Sequence, residues 1–128
     1  MNDLENHIAR WIRSGRNDLV TASLLIDEAR PVEGVFFCYL AIEKVLKARI
    51  IRYTKDDPPG LDDLKPLLKL ASVKISQEDL ELLEVLTNSR HAIRYPRPET
   101  DPDAPSTDHS QEYLERSKEL FSWLEMTI

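Results

Sequence analysis

Eight consecutive nonpolar residues, Val35 to Ile42, sit inside the twenty-residue stretch Gly34–Tyr53, and they restrict the fold more than any other feature of the chain. A strand of that length is conceivable, but the pattern runs on without Gly or Pro well past a strand's usual end. As a helix, eight nonpolar residues cover the full circumference, so other elements must wrap its first two turns. Beyond Ile42 the character changes. Tyr39, Ile42, Leu46, Ile50 and Tyr53 keep one apolar stripe, while Glu43, Lys44 and Lys47 form a charged strip on another side. A helix of this kind is the central helix of a small bundle, and the functional question is what the charged strip faces.

The flanking segments supply the wrapping. Asp3 to Ala29 reads as one long amphipathic helix whose apolar face holds Leu4, Ile8, Trp11, Ile12, Leu19, Ala22, Leu25, Ile26 and Ala29. Gly15 falls on that face, where close approach of a neighbouring helix or a kink is expected. Arg10, Arg13 and Arg16 recur away from the stripe as solvated surface. Arg30-Pro31 ends the first helix and starts the second, and so short a connection makes the two antiparallel neighbours.

Lys55 to Gly60, with two prolines, stops the central helix. Asp62 or Asp63 can cap a short third helix with Pro66 in its first turn and Leu64, Leu67, Leu68 and Leu70 inside. Ser76-Gln77-Glu78-Asp79 reads as a capping box before a fourth helix with Leu82, Leu83, Leu86 and Ile93 on its apolar face. Pro96 to Pro105 carries four prolines, which predicts a stiff exposed connection crossing one end of the molecule. Asp108 and Gln111 can open a last helix lined by Tyr113, Ser117, Leu120, Phe121 and Leu124. The expected fold is all-α, an antiparallel up-and-down four-helix bundle with one short additional helix, residues 1–128 forming a single domain.

Composition narrows the function. A chain of 128 residues with 41% hydrophobic and 31% charged residues is neither disordered nor membrane-spanning, and no leader pattern opens it. The lone Cys38 lies in the most apolar run, so it reads as a core residue of a protein in a reducing cytoplasm. A net charge of −6 argues against broad electrostatic attraction to nucleic acid. His7, His91 and His109 lack metal-ligand spacing, and there is no glycine-rich phosphate loop or nucleophile motif, so neither metal nor cofactor is expected. One oddity remains. Arg90 falls on the apolar face of the fourth helix, where a guanidinium must pair with a carboxylate such as Glu43, reach water or meet a ligand. His91 and Arg94 complete a cationic group at that helix's C-terminus, which also complements its dipole.

Ala41-Ile42-Glu43-Lys44-Val45-Leu46-Lys47-Ala48, followed by the Leu-rich short helix and then Ile93-Arg94-Tyr95-Pro96, resembles the HEPN family (higher eukaryotes and prokaryotes nucleotide-binding). The resemblance extends from Asn17-Asp18-Leu19 to Leu120-Phe121-Ser122-Trp123. It implies a helical bundle, a homodimer, and pairing with a small nucleotidyltransferase, as in toxin–antitoxin or transferase-accessory systems. Some members are metal-independent ribonucleases that use an arginine and a histidine separated by four to six residues. Here Arg90 and His91 are adjacent, and Leu61 stands where the family's short-helix block often has a histidine. Two functional expectations follow. In one, Glu43, Lys44, Lys47, Arg90, Arg94 and Tyr95 line a non-catalytic cleft for a nucleotide or RNA phosphate, or for the partner protein. In the alternative, the chain is a degenerate ribonuclease toxin using Arg90 and His91 across a dimer. Tyr95 is also placed as a possible acceptor of a transferred AMP in such a pair.

Overall fold

The computed structural model describes residues 2–95 and 109–128. It is all-α: helices α1 (Asp3–Asp27), α2 (Pro31–Thr54), α3 (Leu64–Leu70), α4 (Gln77–Arg94) and α5 (Ser110–Met126), with no strand among the described residues. Helix α2 touches each of the other four. No helix among the described residues is long and apolar enough to cross a membrane. The proline-rich Pro96–Pro105 connection and the Asp108 cap lie outside the described residues.

The apolar run dictates this centre. Val35, Cys38, Tyr39, Ala41 and Ile42 are buried, while Phe36, Phe37 and Leu40 are only partly covered, so one side of the run is left less wrapped than its composition predicts. Burial instead continues along α2 through Val45, Leu46, Ala48, Ile50 and Ile51, and it includes Glu43. Each wholly buried Leu or Ile here stabilises the fold by about 1.5–3 kcal/mol relative to exposure. Cys38 is part of this core, and burial pushes its thiol pKa up to about 11, which leaves it inert at neutral pH. Four residues of the expected apolar faces do not go inside: Ala29, just past the end of α1, Tyr53, at the end of α2, Leu70, at the end of α3, and Ile93, at the end of α4, are exposed.

Contacts along α1 and α2 fix their sense. Arg52 forks onto Glu5, Gly15 faces Ala41, and Gly34 faces Ala22 and Ile26, so the two helices run antiparallel, as the three-residue turn between them requires. That turn is a Schellman motif. Arg30 N–H donates to Leu25 O at 2.7 Å and Ala29 N–H to Ile26 O at 3.2 Å, with Ala29 at φ 59° where glycine is the usual residue. Helix α5 lies along α2 in the same direction, Ser117 beside Cys38 and Thr127 on Arg49. Arg49 also donates from Nε to Ala71 O at 2.9 Å, so one side chain ties the ends of α3 and α5 to α2. At the start of α4, Ser76 Oγ accepts from Asp79 N–H at 3.1 Å, the cap that the sequence announces.

Gly15 shows why the core tolerates no extra atom there. A Cβ would stand 2.6 Å from Phe121 Cε2 and 3.3 Å from Ala41 O, so α1, α2 and α5 meet at this point. Glycine inside a helix costs about 0.5–1 kcal/mol relative to alanine, and the three-helix contact offsets that loss. Gly15→Val is therefore expected to lower stability by about 1–3 kcal/mol in chemical denaturation. Gly60→Ala, where nothing lies within 4 Å, should change it by less than about 0.5 kcal/mol. A Gly15→Val protein as stable as the parent would contradict this packing.

Candidate functional site

Glu43, Lys44, Lys47, Arg90 and Arg94, singled out in the sequence, each pair with an opposite charge in the chain itself. Arg90, on the inner face of α4, is 7% exposed. Its Nη1 donates to Asp63 Oδ1 at 2.9 Å and its Nη2 to Asp62 Oδ2 at 2.8 Å. The guanidinium also lies 5.6 Å from the centre of the Tyr39 ring. Its partners are thus two aspartates of the α2–α3 loop, not Glu43. Burial opposes the charge, yet Tyr39, Asp63 and Asp62 together hold the Arg90 pKa above the ordinary arginine value.

This pairing changes the role of the loop. Asp63 occupies the N-cap position of α3 with extended backbone, but its side chain makes no capping bond there. The expected aspartate cap of α3 is therefore corrected: the stronger, partly buried cation on α4 takes the carboxylate. Arg94, one turn further along α4, reaches the same Asp62 Oδ2 at 3.5 Å and stays half exposed. Beyond it, Tyr95 is 63% exposed, and its ring stacks on His91 with centroids 6.4 Å apart.

The two lysines of α2 turn the other way, toward α1. Lys44 Nζ lies 2.7 Å from Asp18 Oδ2. Lys47 Nζ lies 3.9 Å from Glu43 and 5.5 Å from the Trp11 ring centre, a cation–π contact. Glu43 sits between the two groups, 8% exposed and within electrostatic reach of Lys47, Asp62, Arg90 and Lys44. Of the six residues proposed to share a cleft, the structure brings Arg90 and Arg94 onto Asp62 with Glu43 nearby, while Lys47 lies between Glu43 and Trp11. Lys44 is drawn onto α1, and Tyr95 faces outward beside His91.

The sequence reading missed Asp18, Asp62, Asp63 and Tyr39 as members of this cluster. Asp18 carries a visible signal, since it follows Gly15 by three residues and precedes Ala22 by four on the buried face of α1. No spacing rule links Asp62 and Asp63 to Arg90, because the contact spans a loop. Four cations thus meet four carboxylates, and the cluster offers little long-range attraction to a polyanion. What remains accessible is the C-terminal end of α4, with His91, Arg94 and Tyr95. Among the described residues no three His, Cys, Asp or Glu side chains are grouped to hold a metal ion.

An all-α domain organised on an ExxxK helix, with an arginine-rich end to its fourth helix, defines a recognisable class. The family model of the HEPN domain matches residues 8–127, and the chain belongs to that family. Among curated proteins and among solved structures nothing matches it.

Glu43 gives the cluster a measurable signature. Burial is the main cause that raises its carboxyl pKa, Asp62 adds to it, and Lys47, Arg90 and Lys44 oppose it without cancelling it. A carboxyl whose pKa is raised on folding is favoured in its protonated form. Its contribution to stability is therefore lost as pH rises from the unfolded value of 4.5 through the folded one. Glu43→Gln, neutral throughout, is expected to melt higher than the parent at neutral pH, with the difference vanishing below 4.5. A variant that melts lower at neutral pH would show that the Lys47 pair outweighs desolvation.

Proposed function

We propose that this chain is a non-catalytic HEPN-type module that binds a nucleotide phosphate or a partner protein through the end of α4. In this reading it works with a small nucleotidyltransferase and is a cytoplasmic homodimer. Its residues 1–128 act as one domain, the four long helices forming an up-and-down bundle. Membership of the HEPN family supports a nucleotide- or RNA-related role. The observation that carries the choice of site is the pair Arg94 and Tyr95. Arg94 presents a half-exposed guanidinium whose pairing to Asp62, the one among the described residues, is long at 3.5 Å, and an exposed aromatic ring follows it directly. A planar fork for phosphate beside a ring for base stacking is the chemistry a nucleotide needs.

Arg90 weighs against the ribonuclease alternative. A catalytic pair must meet one scissile phosphate at a set separation, and Arg90 is adjacent to His91, buried and already bound by two carboxylates. Growth arrest on expression, relieved by His91→Ala, would favour that alternative instead.

Arg94→Ala is expected to weaken AMP or partner binding by about tenfold or more in calorimetry. The melting temperature should stay within about 2 °C of the parent, because the side chain is half solvated and its ion pair is long. Unchanged binding, or a large loss of stability, would remove Arg94 from the site.

A further inference from the structure

We propose that Asp62 and Asp63 are a built-in competitor for an anionic ligand. Their carboxylates hold the place on the Arg90 and Arg94 guanidiniums that a phosphate monoester would take, and the ligand enters by displacing the loop that carries them. The proposal rests on the reading of Arg94 as a phosphate-binding residue and adds how access to it is controlled.

The geometry is that of an occupied anion site. A single oxygen, Asp62 Oδ2, lies 2.8 Å from Arg90 Nη2 and 3.5 Å from Arg94 Nη2. Asp63 Oδ1 fills the other Nη of Arg90 at 2.9 Å. One oxygen bridging two guanidiniums, with a second oxygen on the free prong, is an arrangement that a phosphate group reproduces with its own oxygens.

A second observation points to a missing acceptor. Tyr39 is 1% exposed, and its hydroxyl has no hydrogen-bond partner among the described residues. Glu43, Arg90, Asp62 and Asp63 all lie within its electrostatic reach. Buried hydroxyls are normally paired, and leaving one unpaired is costly. The two aspartates bond the arginines and do not accept from it. A phosphate has a further oxygen to offer.

The loop is also cheap to move. Residues 55–63 contain no helix, both carboxyl groups are partly exposed, and Gly60 meets nothing within 4 Å. The Asp63 side chain makes no capping bond to α3, so swinging its carboxylate away breaks no such bond, while its carbonyl can keep the bond from Leu67 N–H. While attached, the aspartates compete at the high effective concentration of a tethered group, which depresses the affinity for a free anion.

The test uses the full chain with inorganic phosphate and AMP as probes, and chloride at equal ionic strength as control. In Asp62→Asn/Asp63→Asn, affinity for phosphate is expected to rise by about tenfold or more over the parent. This variant should melt below the parent, because Arg90 loses its counter-charges, and then gain roughly 4 °C in a tenfold excess of phosphate over Kd but not in chloride. Adding Arg94→Gln should abolish the gain, and adding Tyr39→Phe should reduce it. Affinity equal to the parent's, with binding in both still dependent on Arg94, would overturn the competitor and leave the binding site standing. No binding by either protein would remove both. A variant that stays unfolded in phosphate, or a gain that survives Arg94→Gln, would also overturn it.

Discussion

A guanidinium taken out of water must be paid for, and in this chain Arg90 is stabilised by the Tyr39 face and by two carboxylates from a loop. That requirement fixes three things together. It sets the rotation of α4 against α2, because Tyr39 and Arg90 must meet. It anchors the end of the long α2–α3 connection, which otherwise has few bonds to the rest of the molecule. It also takes Asp63 away from capping α3, leaving that seven-residue helix dependent on Leu64, Leu67 and Leu68 in the core. The pairing is asymmetric. Removing the aspartates strands a buried cation, whereas removing the arginine frees two carboxylates that already reach water.

Much of the scaffold was legible because its determinants are local. The Ser76 cap, the Pro31 start, the Gly15 contact and the apolar face of α1 follow from residue type and a period of 3.6, and they sit where those rules put them. The exceptions lie at helix ends. Ala29, Tyr53, Leu70 and Ile93 continue an apolar period at or past the last turn of their helices and are exposed there. The site was legible in its cations and not in its anions. Arg90 advertised itself as a charge on an apolar face, but its partners lie 27 and 28 residues earlier, across a loop and another helix. No pattern within one helix reports such a contact, and Glu43, the nearer choice by motif, proved to be occupied with Lys47.

The charge balance of the cluster bears on what a HEPN domain of this kind does. The chain is acidic overall, and its central cations are neutralised internally, so it is poorly suited to gather a polyanion from a distance. Short-range recognition of one phosphate, or of a protein surface, makes fewer demands on net charge. In the proposed reading that task falls to Arg94 and Tyr95, which are exposed at the end of α4 beside His91. The lysines of the AxEKxLKA block lie against α1, Lys44 on Asp18 and Lys47 over Trp11.

The central claim is that Arg90 is bound energetically, and not only geometrically, by the loop aspartates. A double-mutant cycle between Arg90→Met and Asp62→Asn/Asp63→Asn, read by urea denaturation at neutral pH, measures this directly. A coupling of about 1–3 kcal/mol is expected for a buried cation with two charge-assisted bonds. Additive effects, with coupling below about 0.3 kcal/mol, would mean that the aspartates and the arginine ignore each other in solution, and the closed site described above would not exist.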